Sequence, residues 1–158
     1  MAHILREDLW TRVRWPGLYL VTTNSVLNAR GQLIMGRGSA REARDRIPGI
    51  QAEIVRIIRP SLAEDYGFRV IRDPRRDGHF GFGVFQTKRH WKHVAYVETI
   101  LLSLGMLDEY AVDNPDVLIR CPLPAVGCGQ IGAGTPPDSD EIRALCLELP
   151  DTVTFCVR

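Results

Sequence analysis

The chain has 158 residues, enough for one domain with a sizeable core and too few for two ordinary ones. Apolar residues make up 45% and charged residues 25%, a balance that excludes intrinsic disorder. The formal charge of +1 gives no global attraction for nucleic acid or a membrane surface, so an anionic partner must be caught by a local site.

The N-terminal stretch MAHILREDLW is too polar for a signal peptide, and no apolar run is long enough to span a bilayer. A cytoplasmic protein without a membrane partner is therefore expected. The first patterned element is Leu18 to Thr23, a short apolar and β-prone run that stops at Asn24-Ser25, as a buried strand would. Asn28-Ala29-Arg30-Gly31 reads as a turn. From Ser39 the period lengthens: Ala40, Ala43, Ile47, Ile50, Ile54 and Ile57 step by three or four residues and predict one helical face. Pro48-Gly49 interrupts it, so two helical pieces are expected rather than one rod.

Phe68 to Ile71 and Phe82 to Phe85 read as strands on either side of a polar turn, Asp73 to Gly78. Val94, Val97, Leu101, Leu104 and Leu107 form a second helical stripe. Val117 to Cys121 follows as a strand, then a Gly-rich loop, then a helix whose N-cap is Asp138 or Ser139. Asp140 and Glu141 then sit in the first turn, where the helix dipole favours acids. Val153 to Val157 closes the chain as a strand. This alternation predicts an α/β fold over residues 1–158, a three-layer α/β/α sandwich with a mixed, largely parallel sheet. No internal repeat or linker divides it. The four cysteines, Cys121, Cys128, Cys146 and Cys156, contain no CxxC pair, so neither a zinc site nor any other metal site is expected.

Ligands of such sheets sit beyond the carboxyl ends of the strands, near helix N-termini. That points to three segments. In the first, Thr22-Thr23-Asn24 leads through a turn to Met35-Gly36-Arg37-Gly38-Ser39-Ala40, where glycines before a helix free backbone N–H groups for an anion. A glycine-softened helix entry with no ligand is the competing reading. In the second, Gly127-Cys128-Gly129-Gln130-Ile131-Gly132-Ala133-Gly134 has G-x-G-x-x-G spacing between a strand and a helix, suited to a pyrophosphate. It does not follow the first strand, as a Rossmann turn would, and a plain glycine loop is its alternative. In the third, Thr87 to His93 sets cations beside an aromatic ring; a solvated basic loop competes there. No Ser-His-Asp set is present, and spacing places no carboxylate pair.

Together the three segments resemble the macro-domain family, and the match covers most of the chain. In that family an Asp after the first strand contacts adenine. Asp8, with Leu9 beside it, looks like that position, although Glu7 stands where a glycine is usual. Asn24, at the end of Val21-Thr22-Thr23-Asn24, corresponds to the Asn that contacts the distal ribose. Met35 to Ala40 is similar to the first substrate loop and Gly127 to Gly134 to the second, which wraps the diphosphate. Phe85-Gln86-Thr87-Lys88-Arg89-His90-Trp91 looks like the branch that holds terminal ADP-ribose glycohydrolases and ADP-ribose 1″-phosphate phosphatases. Lys88 aligns with its lysine near the distal ribose. That branch often carries a catalytic Asp in the second loop. Ile131 or Gly132 fills that place here, with no acid before Asp138, so the Lys-plus-Asp mechanism lacks its acid.

The resemblance implies an ADP-ribose or related nucleotide ligand, free or attached to protein or nucleic acid, and no cofactor. It also implies hydrolysis at the distal ribose, with Asn24 placing the ribose or a water and Lys88 or His90 handling charge at the leaving oxygen. The alternative is a binding module that reads ADP-ribosylation or sequesters an NAD-derived nucleotide. A third reading, nucleic-acid binding through Lys88 to Lys92 and Arg72 to Arg76, is weakened by Asp73, Asp77 and the near-neutral charge.

Overall fold

The computed structural model describes residues 1–76, 78–124 and 139–157. Its strands are β1 (His3–Arg6), β2 (Gly17–Thr23), β3 (Phe68–Arg72), β4 (Gly81–Gln86), β5 (Leu118–Pro122) and β6 (Val153–Val157). Its α-helices are α1 (Gly38–Arg46), α2 (Ile50–Ile58), α3 (Val97–Asp113) and α4 (Ser139–Leu147). They form one six-stranded sheet in the order β1-β6-β5-β2-β4-β3. Every neighbouring pair is parallel except β3 with β4.

The central strands are apolar on both sides because both faces are covered. Alternation divides their side chains: Leu18, Leu20 and Phe85 pack with Ile100, Leu104 and Leu107 of α3 and with Ile142 and Cys146 of α4. Val21, Phe82 and Val84 pack with Ala40 and Ala43 of α1 and with Ile50, Ile54 and Ile58 of α2. The predicted three layers follow directly. Gly83 permits the β3–β4 contact, since a Cβ there would lie 2.7 Å from the Arg69 carbonyl oxygen and from a Leu20 methyl.

Three local differences from the sequence reading have physical causes. Strand β1 has no readable pattern: it is a four-residue edge strand, mostly exposed, paired on one side with β6. The break at Pro48-Gly49 is present, with Gly49 at φ 78°, and it resets the phase of the second helix. Its inward residues are Ile50, Ile54, Val55 and Ile58, whereas Ile57 is 39% exposed. In α3 the buried stripe includes Thr99 and Ser103, and Leu101 is exposed. Ser103 can be buried because its Oγ donates to the Gln86 carbonyl at 2.7 Å, with the Thr99 carbonyl at 3.0 Å. That internal pairing hides the true face from a hydrophobicity pattern.

Candidate functional site

Three adjacent parallel strands, β4, β2 and β5, finish at the same edge of the sheet. Beyond them opens a cleft of about 670 Å³, within the usual range for small-molecule sites. Its walls come from Thr22 to Asn24, Ile34 to Gly38, Thr87, Lys88 and Trp91, and Pro122 to Pro124, with Ala40 and Ala95. The sequence-derived residues Thr23, Asn24, Met35, Gly36, Arg37, Gly38, Ala40 and Lys88 therefore converge on one space. Arg37 and Lys88 bring two cationic side chains, and no carboxylate stands among the described lining residues.

The first wall is built around Asn24, which is buried. Its Nδ2 donates to the Ile34 carbonyl at 3.1 Å, and its Oδ1 accepts the Val26 N–H at 2.8 Å. The amide thus staples the turn that carries Met35 to Gly38, while its second N–H remains in its donor inventory. Tyr66, fully buried, supports the same point from behind. Its hydroxyl donates to the Asn24 carbonyl and pairs with Thr23 Oγ1. Burial pushes the Tyr66 phenol well above its ordinary range, so it stays neutral. Ser39 Oγ accepts the Thr22 N–H at 3.4 Å and ties α1 to β2. Gly38 has φ +58°, which favours glycine. At Gly36 an added Cβ would meet nothing within 4 Å, so packing does not require a glycine there.

The opposite wall follows β4. The Thr87 N–H donates to the Thr23 carbonyl at 3.1 Å and its carbonyl accepts the Tyr96 N–H at 2.9 Å, placing Lys88 at the cleft. Lys88 Nζ lies 3.5 Å from the Trp91 carbonyl. His90 is not among the lining residues. Its Nδ1 accepts the Lys92 N–H at 3.0 Å, and its ring lies against Trp91 and His93.

Behind Lys88 is a polar cluster that the sequence does not announce. Gln86 is fully buried; its Oε1 accepts the N–H groups of Tyr66 (2.8 Å) and Gly67 (3.0 Å). Its Nε2 donates to Asp65 Oδ1 at 3.1 Å and lies 3.3 Å from the Lys88 carbonyl. Asp65 also accepts from Arg89 Nε at 2.9 Å and from Thr99 Oγ1 at 3.1 Å. Burial pushes the Asp65 carboxyl up, but hydrogen bonds from Arg89, Thr99 and Gln86 and the Arg89 charge outweigh it and hold it below the usual range.

Asp8 and Leu9 do not line the cleft. Asp8 Oδ1 accepts the Trp10 N–H at 2.9 Å, and the Leu9 side chain is buried in the core under α1 and α2. Their carbonyls accept from Arg120 of β5, at 2.7 Å for Asp8 and 2.9 Å for Leu9. Arg120 also pairs with Glu7 at 2.7 Å. Glu7 is thus the counter-ion of a buried arginine. Gly127, Cys128, Gly129, Gln130, Ile131 and Gly132 lie outside the described residues, as does Asp138. A second cavity, of about 760 Å³, lies beside the amino end of β4. Of its polar groups, Arg72 pairs with Glu53, Arg46 lies over the Trp10 ring, and Asp73 accepts the N–H of Arg75 outside the lining.

No protein-family model and no curated protein matches the chain. Solved structures do match, and they define its architecture as the macrodomain fold, which bears out the expected layered sheet and, at the level of fold, the resemblance. The macrodomain of Thermus aquaticus DarG superposes with a TM-score of 0.72 at 18% identity, over 100% of this chain and 98% of that one. The macrodomain of Mycobacterium tuberculosis DarG gives 0.69 at 21% identity, over 99% and 96%. Thermosipho africanus DarTG in complex with ADP-ribose gives 0.65 at 20% identity, over 91% of this chain and 38% of that one.

Proposed function

We propose that the cleft binds ADP-ribose or an ADP-ribosyl group and that the protein hydrolyses a bond at the distal ribose. The observation that carries the reading is that Arg37 and Lys88 both line a cleft whose described lining residues include no acid. A diphosphate meets cations and helix-entry backbone there rather than repulsion. Gly36 supports it, because a glycine that packing does not require suits a site where a ligand approaches the backbone. A macrodomain-fold neighbour solved with ADP-ribose makes that nucleotide the first ligand to test.

In the hydrolysis, water adds to the anomeric carbon while the bond to the leaving oxygen breaks with its electron pair, and a proton lost by that water ends on the leaving oxygen. The Lys88 ammonium stabilises the charge that develops on that oxygen. Asn24 keeps the turn in place with one amide N–H and orients the distal ribose or the water with the other. His90 stands outside the cleft lining with its Nδ1 accepting the Lys92 N–H, so it takes no part in this step. A cytoplasmic setting belongs to the same proposal.

The test is calorimetry with ADP-ribose, then incubation with ADP-ribosylated protein, ADP-ribosylated oligonucleotide and ADP-ribose 1″-phosphate. Lys88→Ala is expected to lower turnover by roughly a hundredfold, the scale of one electrostatic donor, with ligand binding retained. Undiminished turnover in both Lys88→Ala and Asn24→Ala refutes the assigned roles. The lack of a carboxylate among the described cleft residues favours a second reading, a binder that reads or sequesters ADP-ribosyl groups. Unaltered ligand recovered from every incubation selects it.

A further inference from the structure

The backbone around Lys88 is gripped from several directions. The Lys88 carbonyl faces Gln86 Nε2 at 3.3 Å. The Arg89 guanidinium is held by Asp65, and the Arg89 carbonyl accepts both the N–H (3.2 Å) and the hydroxyl (3.0 Å) of Ser25. Ser25 directly follows Asn24 on the other wall. One cluster therefore joins the segment that carries Lys88 to the segment that carries Asn24.

Asp65 is the hub of this arrangement. It receives Gln86 from β4, Arg89 from the cleft wall and Thr99 from the first turn of α3. Its side chain is 13% exposed and that of Arg89 67%. A carboxylate so enclosed against so exposed a partner contributes little to stability as an ion pair. Its geometric effect is larger, because three elements are referenced to one pair of oxygen atoms. Gln86 adds direction: the amide that donates to Asp65 is fixed through Oε1 by the Tyr66 and Gly67 N–H groups.

We propose that Asp65 is a positioning residue for Lys88, acting through Gln86 and Arg89 as a latch that sets the separation of the two cleft walls. The assignment rests on the ADP-ribose reading of the cleft, but its first test does not.

That test is amide hydrogen exchange on the unliganded protein. Asp65→Ala is expected to speed exchange at Ser25 and Lys92 by roughly tenfold or more, with protection in β5 and β6 unchanged, the signature of local rather than global opening. Arg89→Ala, at an exposed position that does not endanger folding, is expected to act in the same direction. Unchanged exchange at Ser25 and Lys92 in both variants overturns the latch. The second test uses whichever ADP-ribosyl substrate the wild type turns over. Asp65→Ala is expected to lower kcat by roughly ten- to a hundredfold, as a small displacement of a reacting group does, with KM within about threefold. Added to Lys88→Ala, it is expected to cause no further loss, because it acts through that lysine. Losses that multiply overturn the assignment. A wild-type protein that ignores ADP-ribose and all three substrates defeats the proposed function instead, and hydrogen exchange then decides on the latch alone.

Discussion

Tyr66→Phe isolates the support beneath the cleft floor. The ring is fully buried, so the substitution removes one oxygen and leaves the packing of the ring intact. That oxygen makes two hydrogen bonds, one to the Asn24 carbonyl and one with Thr23 Oγ1. At about 1 kcal/mol net for each bond, and more where a buried group is left unpaired, the loss is about 2–3 kcal/mol. For a chain of this size about 1 kcal/mol lowers Tm by roughly 2–4 °C, so a fall of about 4–12 °C is expected. Urea unfolding should show a lower midpoint with an unchanged slope, since the surface exposed on unfolding is the same. A cycle with Thr23→Val separates the two bonds: the double variant should be less destabilised than the sum of the singles, because both remove the same contact. Because Asn24 holds the turn to Ile34, ADP-ribose affinity should fall as well. A Tyr66→Phe protein within about 0.5 kcal/mol of wild type, the scatter of inconsequential substitutions, would refute the assigned hydrogen bonds.

Three further predictions concern charge, thiols and glycine. Asp65 has a folded pKa below its ordinary 3.8, so its contribution is fully present above that value and lost as pH falls through the folded value. The stability gap between wild type and Asp65→Asn should therefore be flat at neutral pH and close under acid, as urea midpoints measured across pH would show. Burial pushes the Cys146 thiol up to about 12; at pH 8 iodoacetamide should label it only after denaturation, read by peptide mass spectrometry. Gly38→Ala should cost about 1–2 kcal/mol for a left-handed alanine. Gly36→Ala should leave Tm unchanged and weaken ADP-ribose binding, and equal effects of both variants on stability would contradict the difference in backbone conformation between the two glycines.

The legible parts of the fold were those where one physical cause dominated. Leu18 to Thr23 and Val153 to Val157 announce strands because strands covered on both faces are mostly apolar and β-branched. Pro48-Gly49 announces a break because φ 78° at Gly49 favours glycine. What escaped was polar structure held by distant partners. The adjacent Asp65 and Tyr66 lie far in sequence from Gln86 and Thr99 and share no spacing signature with them, yet together they support both cleft walls. Arg120 sits in a strand where charge would be unexpected, and only the fold reveals that Glu7 and the carbonyls of Asp8 and Leu9 surround it. The sequence left Lys88 and His90 as alternatives for handling charge at the leaving oxygen; the turn after β4 sends Lys88 to the cleft and engages His90 with Lys92.

The pairing of β1 with β6 unites residues 3–6 with residues 154–157, nearly the full length of the chain apart. During synthesis the first strand must wait, unpaired, until the last has emerged, so that edge of the sheet is sealed only at the end. The two strands run parallel, so His3 and Val157 stand at opposite tips of neighbouring strands.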